Sequence, residues 1–250
     1  MADLQALFES ILADRRNDDL RLAYADAVAE SDPEHAELIR IQVEVARHLD
    51  PSHAPPEPRE RARRLAMSVR PRLQALVMPP AKAANLGRGF IQTVLIDASE
   101  FLTHADALFA RAPILDLRLL EAKAVVDEVC ASRHLQGLRS LVLSGGVGDE
   151  GARAVASSPH LGALRWLDLS HNAITQGGLE ALAASTNLPR LAHLVFVGNE
   201  AEDPTPQIAD EMGAVHHVHY PEAGRELQAN YGPRAWLGDP PQGIPRVEHF

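Results

Sequence analysis

The hexad Leu-x-x-Leu-x-Leu returns down the second half of the chain, and it limits the possible folds more than any other feature. It appears as "IQTVLI" from Ile91, "ILDLRL" from Ile114, "LRSLVL" from Leu138, "LRWLDL" from Leu164, "LAHLVF" from Leu191 and, degenerately, "VHHVHY" from Val215. Successive starts lie 23, 24, 26, 27 and 24 residues apart. One copy arises easily in a leucine-rich chain; five or six in phase mean a repeat. The stretches between hexads repeat as well. "DEGARAVASS" from Asp149 corresponds to "QGGLEALAAS" from Gln176, which puts Val129/Cys130, Val155/Ala156 and Leu182/Ala183 at equivalent sites. Each unit therefore reads as a strand plus a short helix with an inward apolar face. One unit cannot bury both elements, so neighbours must stack.

Alternation along a strand sorts the side chains of each hexad into two faces. With the leucine positions inward, the third, fifth and seventh positions point outward. The third-position row is Thr93, Asp116, Ser140, Trp166, His193 and His217; the fifth is Leu95, Arg118, Val142, Asp168, Val195 and His219. The seventh begins Asp97, Leu120, Ser144, Ser170 and Val197. An outward tryptophan with polar neighbours has the makeup of a binding hot spot. The expected partner-binding residues are Arg118, Trp166, Asp168, His193, His217 and His219. A different chemistry also starts from these rows: His217 and His219 share a face, and His193 on the preceding strand adds a third nitrogen, the beginnings of a metal site. Just beyond the strand, Asn172 and Asn199 occupy a position where an amide can satisfy turn backbone groups. Ser99, Ala122, Gly146 and Ala223 stand there in the other units.

The first half has another texture. Leu4, Leu7, Phe8 and Ile11 follow helical spacing, and Asp18 or Asp19 is placed to cap a second helix carrying Leu22, Tyr24 and Val28. Asp32-Pro33 opens a third, expected to bury Leu38, Ile41 or Gln42, and Val45. "DPSHAPPEP" breaks regular structure, and a helix from about Glu57 to Val77 contains Pro71, which should kink or divide it. That helix also carries the arginine run Arg59, Arg61, Arg63, Arg64, Arg70 and Arg72, read as a solvated face. The expected organisation is a helical module over 1–50, a proline-rich linker and helix over 51–85, the repeats over 86–228, and a proline-rich cap or tail over 229–250.

Two resemblances follow from these residues. The repeats resemble leucine-rich repeats of the ribonuclease-inhibitor-like class, which implies an α/β fold: a curved solenoid with parallel strands on the concave side and helices on the convex side. The segment Ile11 to Gln42 is similar to the bacterial repeat-companion domain. Ile11-Leu12-Ala13-Asp14, Asp19, Arg21-Leu22, Tyr24-Ala25-Asp26, Asp32-Pro33, Glu37, Ile39-Arg40 and Gln42 carry the likeness, and "GRGFIQTVLID" from Gly87 resembles the passage that follows it. Where that family commonly places a bulky apolar residue after Tyr-Ala-Asp, this chain has Ala27 and Val28.

The resemblances imply a scaffold that binds a protein partner through the concave face, without catalysis or cofactor. The alternative is a metal-dependent enzyme or metal-binding module using His193, His217 and His219. A net charge of −10 repels phosphate backbones and argues against nucleic acid. No apolar run reaches the roughly 20 residues that cross a bilayer, and the N-terminus lacks a basic signal region. A single cysteine, Cys130, permits no internal disulfide; a cytoplasmic setting is expected. Cys130 itself aligns with Ala156 and Ala183 on the buried helix side and reads as a small hydrophobe rather than a nucleophile. The glycines of "SGGVGDEG" lack the Gly-Lys-Ser/Thr ending of a phosphate loop and read as a turn capped by Asp149.

Overall fold

A computed structural model describes residues 4–47, 55–209, 217–219 and 221–238, with side chains throughout except at 207–209 and 217–219. The fold is α/β. Helices α1 (Leu4–Ala13), α2 (Asp18–Val28), α3 (Pro33–Ala46) and α4 (Pro56–Gln74) precede strands β1 (Ala83–Gly87) and β2 (Phe90–Asp97). Then come α5 (Ala98–Arg111), β3 (Asp116–Leu120), α6 (Val126–Ala131), β4 (Ser140–Leu143), α7 (Gly148–Ser157), β5 (Trp166–Asp168), α8 (Gln176–Ala184) and β6 (His193–Val195). The last elements are β7 (Gln207–Ala209), β8 (His217–His219) and α9 (Glu222–Tyr231). Six strands form one open, mostly parallel sheet in the order β1 to β6. Among the described residues the chain forms two compact units, one of 4–47, 55–94 and 106–115, the other of 95–105, 116–209, 217–219 and 221–238.

In the first unit α3 serves two cores at once. Ala36, Ile39 and Val43 join Ile11, Ala25, Val28 and Phe90, while Leu38 joins Ala62, Leu65, Ala66 and Val69 of α4. The buried set thus departs from the expected Leu38, Ile41 or Gln42, Val45 stripe, because a helix covered on two sides buries two stripes. Ile41 is half-buried against the second core, and Gln42 accepts the Gly89 N–H at 2.7 Å. The cap of α2 is Asn17, whose Oδ1 accepts from the Asp19 and Leu20 amides; Asp18 and Asp19 fall inside the first turn. Arg21, fully buried, donates to the carbonyls of Arg15 (2.6 Å) and Asn17 (3.1 Å) and so fixes the turn between α1 and α2. Pro71 does not divide α4, which runs on to Gln74. The amide that proline lacks would have served the carbonyl of Met67, and Met67 is 68% exposed, where water can replace it.

In the second unit the register of the strands follows the hexads. Asp116 pairs with Ser140, Ser140 with Trp166, and Trp166 with His193; Arg118, Val142, Asp168 and Val195 form the next row. The inward positions are all buried: Leu138, Leu141 and Leu143; Leu164, Leu167 and Leu169; Leu191, Leu194 and Phe196. The degenerate sixth hexad does not extend this sheet. Its strand β8 pairs antiparallel with β7, through Gln207↔His219 and Ala209↔His217.

Polar ladders join consecutive units at both ends of the strand–helix repeat. Asn172, fully buried, accepts from the amides of Gly146 and Val147 and donates to the carbonyls of Leu143 and Ser170. Asn199 repeats the pattern one unit on, accepting from Asn172 and Ile174 and donating to Leu169 and Phe196. At the other end, Ser158 donates to the Cys130 carbonyl at 2.6 Å and Ser185 to the Ala156 carbonyl at 2.5 Å. Each of these serines also accepts the amide two residues on, which caps its own turn. After α8 the third carbonyl of this series, that of Ala183, is taken by Arg234 Nε at 2.8 Å.

Candidate functional site

The sheet face opposite the leucine core carries the four residues on which a binding site would rest. On β5, Trp166 and Asp168 are each half-buried and stand two residues apart, hence on one side. His193, the cross-strand partner of Trp166 on β6, brings its ring to 5.2 Å from the indole at an interplanar angle of 39°. Arg118, half-buried on β3, shares the row of Asp168 with Val142 between them. Asp168 accepts the Ser170 amide at 2.9 Å, which fixes the carboxylate at the strand's end. Burial lowers the pKa of His193 below the ordinary histidine value, so the ring beside Trp166 is neutral at pH 7.

Not every outward position is open. Asp116 and Ser140, expected to project with Trp166, are buried. Arg139, one place ahead of Ser140 on the chain, reaches across to Asp116 and donates Nε at 3.0 Å and Nη2 at 2.5 Å. The third row is therefore closed at its β3–β4 end and accessible at β5–β6. Along the seventh row Val197 is 51% exposed, the most open apolar side chain of the face.

His217 and His219 lie on β8, outside the six-stranded sheet, and their side chains fall outside the described residues. The strand preceding β8 in the ladder was to have supplied His193; β8 has β7 as its partner instead. Among the described residues, no group of three or more His, Cys, Asp or Glu side chains could hold a metal ion.

The remaining candidates resolve into local roles. Burial, reinforced by Asp127, pushes the Cys130 thiol up to about 12, so it stays protonated. Asp149 does not cap its own helix. It lies in the first turn of α7 and accepts the Thr175 amide (2.7 Å) and hydroxyl (2.6 Å) of the next unit. Partial burial works against its charge, but those bonds outweigh it and hold the carboxyl below its usual range. Asp32 caps α3 through the His35 amide, and Asp26 pairs with Arg40. The arginine run is exposed, with Arg61 on Glu37, Arg63 on Glu60 and Arg72 on Asp32. The serine ladder and the Asp149–Thr175 bridge escaped the sequence reading. Their signal was present in the spacing of Ser132, Ser158 and Ser185. No helix among the described residues is long and apolar enough to cross a membrane.

No family model, curated protein or solved structure matches the chain. Function must therefore be argued from the site itself.

Proposed function

We propose that this protein is a non-catalytic interaction module that binds a protein partner through the sheet face centred on Trp166, Asp168, Arg118 and His193. In this reading the second unit is a leucine-rich-repeat solenoid of the ribonuclease-inhibitor-like class, and the N-terminal helices are a repeat-companion module. The in-register strands, the asparagine ladder and the strand–helix period all support the solenoid reading. The observation that carries the functional one is the partly buried Trp166–His193 pair at the surface of an otherwise well-packed sheet. A large aromatic ring left partly open beside polar groups of fixed position is the composition of an interface hot spot.

The test is affinity capture from native lysate with wild type and a Trp166→Ala/Asp168→Ala double variant, after circular dichroism shows both folded. Capture by wild type, lost in the variant, is the expected result. Equal capture by both would move the binding surface off this face and sink the reading.

A further inference from the structure

We propose that Trp166 and Asp168 together receive a cationic side chain, an arginine, from the segment of the partner that lies on this face. The inference rests on the sheet-face reading above and names the chemistry of what binds there.

Two aspartates stand in the third and fifth rows on β3 and β5, and only one is neutralised. Asp116 is buried under a bidentate Arg139. Asp168 accepts a backbone amide and has no cationic partner among the described residues. Two residues along an extended strand place its carboxylate roughly 6.6 Å from the Trp166 position on the same side. The face of an indole attracts a cation, and a carboxylate at the ring's edge completes the charge match. His193 lies against one side of the indole. On the other side the cross-strand neighbour is Ser140, a small buried side chain that places no ring or long chain against the indole.

The same geometry disfavours other occupants. An acidic side chain would be repelled by Asp168, and an apolar one would strip water from that carboxylate without replacing its hydrogen bonds. His193, kept neutral by burial, does not compete for the aspartate. Arg118 lies two strands away in the Asp168 row, roughly 9.5 Å by strand spacing. Val142, the cross-strand neighbour of Asp168 on β4, offers apolar contact for a methylene stem on the side of the indole away from His193. Arginine suits the site better than lysine, because its planar guanidinium stacks on a ring and presents paired donors to a carboxylate. The chain's net charge of −10 draws basic segments toward it at long range.

The probe is a neutral nine-residue peptide with one central arginine, set against its twin with citrulline, which keeps the shape and loses the charge. Binding is read from the Trp166 indole resonance by NMR, with Trp166→Phe assigning the signal. The arginine peptide should bind about tenfold more tightly than the citrulline peptide. Asp168→Asn, which retains the acceptor for the Ser170 amide, should abolish that difference. Glu180→Gln, which removes an equal charge from helix α8, should leave it within about twofold. Equal binding of the two peptides overturns the inference, as does an equal loss in Asp168→Asn and Glu180→Gln. So does silence of the indole up to about 5 mM peptide. If the indole is silent while the Trp166→Ala/Asp168→Ala variant still loses the captured partner, the face reading stands and the cation reading falls. If the double variant captures as wild type does, the face reading itself fails.

Discussion

A buried histidine ring makes the stability of a protein depend on pH, and His35 is such a ring. It is 5% exposed, and its Nε2 lies 2.7 Å from the Gly89 carbonyl, which can only accept, so Nε2 carries the proton. Asp32 is 3.7 Å from the other nitrogen but is already engaged by Arg72. Burial is the largest influence and lowers the pKa; the Gly89 bond and Asp32 oppose it without reversing it. Below the unfolded value of about 6.5, the unfolded chain takes up a proton that the folded ring resists. The stabilisation is thus complete above that pH and is lost as pH falls toward the folded pKa. The urea midpoint of wild type should drop more between pH 7.5 and 5.5 than that of His35→Gln; parallel decreases would refute the assignment. His35 attracted no notice in the sequence, because only the fold brings Gly89 to it. Asn172, by contrast, was legible, since its residue type recurs at Asn199 in the same phase. The serine ladder had equal periodicity yet passed unread, because serine is common near helix ends and its acceptors, Cys130 and Ala156, are backbone carbonyls that leave no mark on the sequence.

From β3 to β6, each strand is followed by a residue in the left-handed region directly before the asparagine position, with further such residues at Gly146, Gly148 and Ala173. Glu121 (φ 53°), Gly145 (φ 108°), His171 (φ 56°) and Gly198 (φ 75°) occupy that place in successive units. The need for glycine differs among them. A Cβ on Gly145 would come within 2.8 Å of the Glu121 Cα, a backbone atom of the preceding unit that has nowhere to go. Gly137 has a similar φ of 83° but open space around it. Gly137→Ala should therefore cost about 1 kcal/mol, the conformational term alone, whereas Gly145→Ala should cost about 3 kcal/mol because unit packing is disturbed as well. Chemical denaturation of the two variants checks the ranking, and equal losses would show that the units do not pack through this turn. Element boundaries were mostly legible, including α4, which was expected over Glu57 to Val77 and spans Pro56–Gln74. The phase of α3 was not, because a single apolar stripe was sought on a helix that has partners on two sides. The sixth hexad misled for a related reason: alternating apolar residues specify a strand, and β8 is one, but alternation says nothing about which strand lies beside it.

At the scale of the molecule, the two tryptophans separate what holds the second unit together from what is left for binding. The proline-rich cap or tail expected over 229–250 carries the second of them, Trp236. The described part of that tail closes the unit. Helix α9 buries Ala223 and Leu227, and the turn at Ala235–Leu237 buries Trp236, which is 4% exposed, together with Leu237. Gln228 donates to the Leu237 carbonyl at 2.8 Å, and Arg234 takes the Ala183 carbonyl that a serine takes in earlier units. Composition could not show that role, because a proline-rich segment with an aromatic ring names no packing partner; the carbonyl series that Arg234 completes is displayed only by the fold. Trp236→Ala opens a large cavity at the end of the unit and should cost about 3–5 kcal/mol. Trp166→Ala removes a partly buried ring and its contact with His193, the pair itself being worth about 1 kcal/mol, and should cost less than Trp236→Ala. Fluorescence tests the division independently of stability: iodide should quench Trp166 and spare Trp236, so the quenched component should vanish in Trp166→Phe. If Trp166→Ala proved the more destabilising, the indole would be a packing residue and the sheet face would lose its claim to be the binding surface.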